Sequence, residues 1–374
     1  MDIGSVIRMS GQPVIEMSSR QHVTSPAALL CRIENATDAD AAAWDAFLQR
    51  TPGANFYQAY GWRQVNSRQF GHDTHYLVAR AAAGGDIRGV LPLVLLKSRL
   101  FGTILCSMPF VNFGGPCAAD ADAAQALLAR AVSLTHELDA DYAELRVLQP
   151  VRDDLPTTRH KVSMTIELDP DPDRVWQAFT SKHRTNIRRV YKNDIEVRHG
   201  RQELLDDFHR LLSLSWRRLG TPIYRKAYFA EILERFPETT RIFIAYRHDA
   251  PVAAAFNGYF KDTVEGMWAG TSPEHQKLQP NYVLYWEMIR HACENGYRHF
   301  HLGRSTVDSN AEQFKKKWNA HAQQLYWQYV LNGRQTLPEL NVNNPKYRLA
   351  IALWRQLPLP ATQWLGPLIA RSIP

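Results

Sequence analysis

With 374 residues, the chain is too long for one comfortable hydrophobic core and suits two domains of about 150–200 residues each. Hydrophobic residues make up 45% and charged ones 22%, which excludes a mostly disordered chain, and no apolar run reaches the ~18–20 residues of a membrane span. A net charge of +7 favours polyanionic partners: nucleotide phosphates, tRNA or an anionic membrane surface.

The first thirty residues have no signal-peptide core, and 1–26 reads as a flexible tail. Trp44, Phe47 and Leu48 begin a helical rhythm, and Phe56 to Phe70 is a second, aromatic-rich helical stretch. Tyr76–Arg80 and Ile87–Leu96 form a hairpin around Gly84-Gly85-Asp86, with Pro92 marking the second run as an edge or bulged strand. A short strand at Thr103–Ser107 leads into the Gly- and Pro-rich loop 108–116, whose Phe113-Gly-Gly-Pro116 reads as a turn bordering a cleft. Ala121–Leu138 is a helix and Tyr142–Leu148 a strand.

After the linker Asp169–Asp173 the same order returns. Asp171 is suited to cap a helix with Pro172 at its first position, and the helix restarts at Thr180 or Ser181. Helices follow at Leu204–Leu219 and Tyr228–Phe236, then a hairpin of Arg241–Arg247 with Val252–Phe260. Val264–Ala269 is a strand, Asn281–Asn295 a helix, Phe300–Leu302 a strand, and Tyr326–Leu331 completes the second sheet. The repetition predicts a duplicated α/β plan with two sheets of mixed strands.

Charge is densest from Ser181 to Arg201, where seven Lys or Arg meet two acids. Arg184, Arg188 and Lys192 are four apart and share one helical face, either a phosphate site or a solvated surface. The segment Lys182-x-Arg184-x-x-Ile187-Arg188 resembles the basic stretch that opens the second domain of FemAB-type aminoacyltransferases. In order, Leu219–Ile223, Gly296–Ser305 with its G-R-S loop, Phe314-Lys-Lys-Lys-Trp318 and Asn344–Leu349 resemble further elements of FemAB-like proteins associated with exosortase/PEP-CTERM systems. The similarity runs from about residue 40 to 374.

The resemblance implies an α/β (α+β) fold of tandem GNAT-like domains with mixed, mostly antiparallel sheets and an interdomain cleft. The expected divisions are a tail at 1–26, domains at 27–165 and 166–344, and a basic apolar tail at 345–374. Carried over by position, Lys182, Arg184, Arg188 and Arg304 become candidates for binding substrate phosphates. Lys315, the lysine of the F-K motif, becomes a candidate for neutralising charge at the reacting carbonyl. Glu265 and His301 are the general acid–base candidates, set against a structural role for each.

Other patterns point away from alternatives. Cys31, Cys106, Cys117 and Cys293 show no C-x-x-C pair, so neither a disulfide framework nor a zinc knuckle is expected and a reducing cytoplasm fits. His72-x-x-His75 lacks a third ligand, no metal is expected, and no G-x-S-x-G elbow is present. The turn His275–Asn281 has no glycine and contains Pro280, a poor cradle for the pyrophosphate of CoA.

The functional expectation is an acyl- or aminoacyltransferase acting on a phosphorylated or lipid-linked saccharide acceptor. It has no prosthetic group and takes aminoacyl-tRNA or acyl-CoA as the donor cosubstrate. The tail, with Tyr347, Leu349, Ala350, Ile351, Leu353, Trp354 and Leu357 and then Trp364, Leu365, Leu368 and Ile369, beside Lys346, Arg348 and Arg355, either rests on an anionic inner membrane or packs on its own domains. A conventional acyl-CoA enzyme and a non-catalytic binding protein are the competing classes.

Overall fold

A computed structural model describes residues 31–82, 84–98, 101–333 and 345–373. The tail expected over 1–26 lies outside them, as does Asn344 of the C-terminal motif. The first half runs β1 (Cys31–Asn35), α1 (Ala41–Arg50), α2 (Gly61–Phe70), β2 (Asp73–Ala81), β3 (Ile87–Ser98), β4 (Gly102–Ser107), β5 (Cys117–Ala118), α3 (Ala121–Glu137) and β6 (Tyr142–Val147). After β7 (Thr157–Glu167) come α4 (Pro172–Ala178), α5 (Ser181–Tyr191), β8 (Ile195–Gly200), α6 (Leu205–Leu219), α7 (Lys226–Arg235), β9 (Thr240–Arg247) and β10 (Ala250–Phe260). Then follow β11 (Thr263–Thr271), α8 (Asn281–Glu294), β12 (His299–Thr306), α9 (Asn310–Lys316), β13 (His321–Leu331), α10 (Pro345–Gln356) and α11 (Leu359–Ala370).

The duplication is plain in the strand pairing. β1 to β4 form an antiparallel run and β4 pairs in parallel with β6 across the helix α3. β8 to β11 form a second such run, and β11 pairs in parallel with β12 across α8. Two helices separate the first two strands of each run: α1 and α2, then α6 and α7.

The sequence predicts two sheets, and the structure corrects this: the strands hydrogen-bond into one path, β1-β2-β3-β4-β6-β13-β7-β12-β11-β10-β9-β8. The join is an exchange. β7, which follows the first half, pairs with β12, and β13, which follows the second, pairs with β6. The two exchanged strands pair with each other between them. Tyr326–Leu331 therefore completes the first half's sheet through Val147–Tyr142, not the second's.

At Pro92 the edge alternative fails and the bulged one holds: β3 is an interior strand whose ladder with β2 shifts register between Ile87 and Gly89. Its neighbours on one side are β5, opposite Gly89 and Val90, and β4, opposite Val94 to Ser98. Pro92 falls in the gap between these ladders and has a partner only on the β2 side, opposite Tyr76.

Three apolar cores hold the layers. α3 buries Leu127, Leu128 and Ala131 on the first half, and α5 and α8 bury Ile187, Val190, Val283 and Ile289 on the second. The largest cluster joins the halves: Phe56 and Trp62 meet Phe236 at ring distances of 4.9 and 5.4 Å. Aromatic pairs of this kind add ~0.5–1.5 kcal/mol each beyond area burial, so the halves are fixed to one another.

Candidate active site

The site forms where β11 and β12 part. Their ladder covers only Thr263–Glu265 against His299–His301. Beyond it, the pairing of β12 with β7 shifts between His301 and Arg304, and Gly303 takes φ +77°. A Cβ at Gly303 would sit 2.8 Å from the Gly266 carbonyl, so only glycine fits this bulge. The gap is a cavity of about 530 Å³, walled by Gly266–Ala269 of β11 and Leu302–Arg304 of β12. Tyr57 and Asn112 of the first half and Asn257 of β10 also reach it, and Ala370 and Ile373 stand at its rim.

Lys315 enters from α9, a helix of about two turns started by Ser309, whose Oγ accepts from the Glu312 amide. Its Nζ donates to the Gly303 carbonyl at 2.8 Å and the Arg304 carbonyl at 3.0 Å. Burial, with the Arg304 charge nearby, lowers its pKa to about 7. Near neutral pH this amine exchanges its proton easily, and both states keep the two carbonyl bonds. The ammonium then has a third N–H, and the free amine a lone pair, for a group in the cavity.

Arg304 donates from Nη1 to the Val111 carbonyl at 3.3 Å, while its amide donates to Asn112 Oδ1 at 3.4 Å. Burial and then the Arg146 charge lower its pKa to about 10. Asn112 Nδ2 donates in turn to the Tyr57 hydroxyl at 2.8 Å.

Beneath this layer, His301 Nδ1 bonds Glu265 Oε1 at 2.8 Å. Burial alone would lower the imidazole's pKa, but the Glu265 carboxylate leaves it raised. The other oxygen of Glu265 is buried without a partner, and the carboxylate adjoins the Tyr57 hydroxyl. Burial, followed by that carboxylate, holds the Tyr57 pKa well above its usual value. Asn257, 1% exposed, also lines the cavity, with its side-chain amide buried in the wall beside Tyr259.

The structure thus joins four of the sequence candidates into two pairs, Lys315 with Arg304 and His301 with Glu265. The basic face of α5 lies elsewhere. Lys182 and Arg188 are exposed, Arg188 lies over the Trp176 ring at 5.4 Å, and none of the three basic candidates lines the cavity. Arg184 donates to the Gln177 and Phe179 carbonyls and so closes the end of α4. Tyr57, Asn112 and Asn257 carry no motif that sequence reasoning could find.

The turn before α8 is closed on itself. Tyr282 and Val283 donate their amides to the Gln279 and Pro280 carbonyls, and Arg189 donates to the Gln279 side chain at 2.6 Å. Among the described residues, no group of three His, Cys, Asp or Glu is placed to hold a metal.

Residues 181–316 match the family model described as an acetyltransferase (GNAT) domain. The match spans α5 to α9 and so places that domain on the half with the open fork. Among solved structures, FemX is similar over 86% of this chain and 100% of its own, at 15% identity and a TM-score of 0.59. The fold is tandem GNAT-like. The C-terminal domain of a candidate lysylphosphatidylglycerol synthetase from Agrobacterium fabrum is similar over 79% of this chain and 92% of its own, at 14% identity and a TM-score of 0.54. L-PGS from Bacillus licheniformis is similar over 87% and 99%, at 13% identity and a TM-score of 0.51. No curated protein matches the chain by sequence.

Proposed function

We propose that the chain transfers an acyl or aminoacyl group to an amine or hydroxyl of a phosphorylated or lipid-linked precursor of the cell envelope or of an exopolysaccharide. The observation that carries this is Lys315, a buried lysine with its pKa near 7 at the open fork of the GNAT-like half. The nucleophile adds to the acyl carbonyl, and the third N–H of the Lys315 ammonium meets the oxygen as charge builds on it. A donor of this kind is worth about 10²–10³ in turnover. The nucleophile's proton passes through the Tyr57 hydroxyl toward Glu265, which His301 holds in place. The bond to the donor's oxygen or sulfur then breaks, and the leaving group takes a proton.

The self-closed turn before α8 favours a donor held by several phosphates, such as aminoacyl-tRNA, over free acyl-CoA. A lysylphosphatidylglycerol synthetase makes, by its name, an aminoacylated lipid, and a lipid-linked acceptor suits the surface here. α10 and α11 pack on α6 and on the 219–223 segment, where Ile351 meets Gly220 and Gly366 meets Ile223. Their outer faces expose Leu349, Leu353, Trp364 and Leu368, and the equally exposed Leu219 also lines the cavity. No helix among the described residues is long and apolar enough to cross a membrane. This face lies on an anionic bilayer, with the exposed Arg348 and Arg355 beside it.

The test is label transfer. Radiolabelled aminoacyl-tRNAs and acyl-CoAs are offered separately with nucleotide-linked and lipid-linked saccharides. Transfer from aminoacyl-tRNA that is lost in Lys315→Met supports the proposal. Transfer from acetyl-CoA to a small amine, with binding insensitive to salt, replaces it with a conventional acyl-CoA enzyme. Trp364→Glu should lower sedimentation with phosphatidylglycerol vesicles, and unchanged sedimentation removes the membrane contact.

A further inference from the structure

Behind the cavity wall, at the junction of the exchanged strands, lies a cluster of donors with too few acceptors. Arg146 on β6 is fully buried. Its Nε donates to Glu144 Oε1 at 2.7 Å, but Nη1 and Nη2 have no partner. The indole of Trp327, opposite Arg146 in the β13–β6 register, lies 4.5 Å from the Arg146 guanidinium and 5.7 Å from that of Arg304. Trp327 Nε1 is also buried without a partner.

Two guanidinium charges therefore lie against one ring, and the Glu144 carboxylate is bonded to Arg146, not to Arg304. Burial comes first, and the Arg146 charge then further lowers the pKa of Arg304. Stacking on the indole offsets part of this cost but offers no hydrogen-bond acceptor. Burying charge and leaving N–H groups unpaired is expensive unless something occupies them. What is missing is an acceptor-only group of negative charge, and a guanidinium fork matches a carboxylate or a phosphate. The cavity supplies the approach, since Arg304 and Tyr224 both line it.

We propose that Arg146, Arg304 and Trp327 form a binding site for an anionic group, a carboxylate or a phosphate, on a molecule that occupies the cavity. The site deepens the transfer reading by giving one substrate a fixed anchor beside Lys315, and in its function it rests on that reading. Its existence does not, because it is tested by binding.

The full chain is melted in rising inorganic phosphate, in rising acetate and in chloride of equal ionic strength. Phosphate or acetate should raise the melting temperature above the chloride curve at millimolar concentration, and the effective anion tells which group the site takes. Arg304→Gln, which removes a side chain held by one backbone carbonyl, should weaken that effect at least about tenfold. Arg146→Lys, which keeps the charge but loses the fork, should do likewise. Should Arg146→Lys fail to fold, Arg304→Gln decides alone. Equal melting in all three salts, or an anion effect unchanged in Arg304→Gln, overturns the site. Anion binding without acyl transfer leaves the site standing and removes the transfer reading; transfer without anion binding does the reverse.

Discussion

In the first half, β4 and β6 stay paired through Ser107 and Leu145, and the loop 108–116 fills the space beyond. In the second, β11 and β12 separate after Glu265 and His301, and the space stays open. The polar residues at the two branch points correspond. Cys106 faces Glu144 in one register, as Glu265 faces His301 in the other. Arg146 follows Glu144 by two positions, whereas Arg304 follows His301 by three. The extra residue falls in the bulge at Gly303 and ends the parallel ladder early. One inserted residue, with a glycine to absorb it, thus separates a filled fork from an open one.

The filled fork carries its own strain. Met108 and Phe110 adopt φ of 60° and 70°, which costs ~1–3 kcal/mol each for side-chain-bearing residues. Burial offsets that cost: Met108 is 0% and Phe113 1% exposed. The first prediction breaks the plug. Phe113→Ala should destabilise the protein by about 3–5 kcal/mol in chemical denaturation, since the ring packs on Tyr57 and His301. A loss below ~1 kcal/mol would mean the loop is not a plug.

Lys315→Met should lower turnover by about 10²–10³-fold while leaving the fold intact. Two pH profiles sharpen the reading. Transfer that relies on the ammonium falls as pH rises above about 7. Stability moves the other way: the folded-state pKa of about 7 lies below the free-lysine value of 10.5, so the unfolded chain binds more protons in that window. Wild-type stability should therefore rise from pH 7 to 10 relative to Lys315→Met. A rate that instead increases through pH 7 assigns the lysine as a base.

The two glycines with φ +77° give a matched pair. Gly303→Ala drives a Cβ to 2.8 Å from a backbone oxygen, and Gly115→Ala to 2.5 Å from the Val147 side chain. Each should cost ~1–3 kcal/mol in stability, but only Gly303→Ala should also lower turnover, because it displaces the carbonyl that holds Lys315. Equal kinetic losses from both would end the functional contrast between the forks. The smallest effect belongs to Met267→Ala on the open side, below ~1 kcal/mol, since that half-buried side chain already borders a cavity.

Much of the element order was legible because helices and hairpins advertise their periodicity. Asp171 and Thr180 cap α4 and α5 as their residue types suggest. β7 escaped notice because Lys161, Ser163 and Thr165 put polar groups on one face of a central strand, so it lacks an apolar run. The same polarity is why the single sheet was not foreseen. Of the site, Lys315 and Arg304 were reached through resemblance, and their contact through a bulge was not. Arg184 misled in placement because its spacing reports a helical face, and nothing in spacing says that a guanidinium will close the preceding helix.

The exchange of β7 and β13 has a consequence during synthesis. When the ribosome has released the first half, the edge of β6 has no neighbour, because its partner is Tyr326–Leu331 near the far end of the chain. An exposed strand edge invites pairing with other nascent chains, and it must wait for nearly two hundred further residues, about ten to forty seconds at ~5–20 residues per second. Holding chaperones should therefore matter more for the yield of this protein than its final stability would indicate.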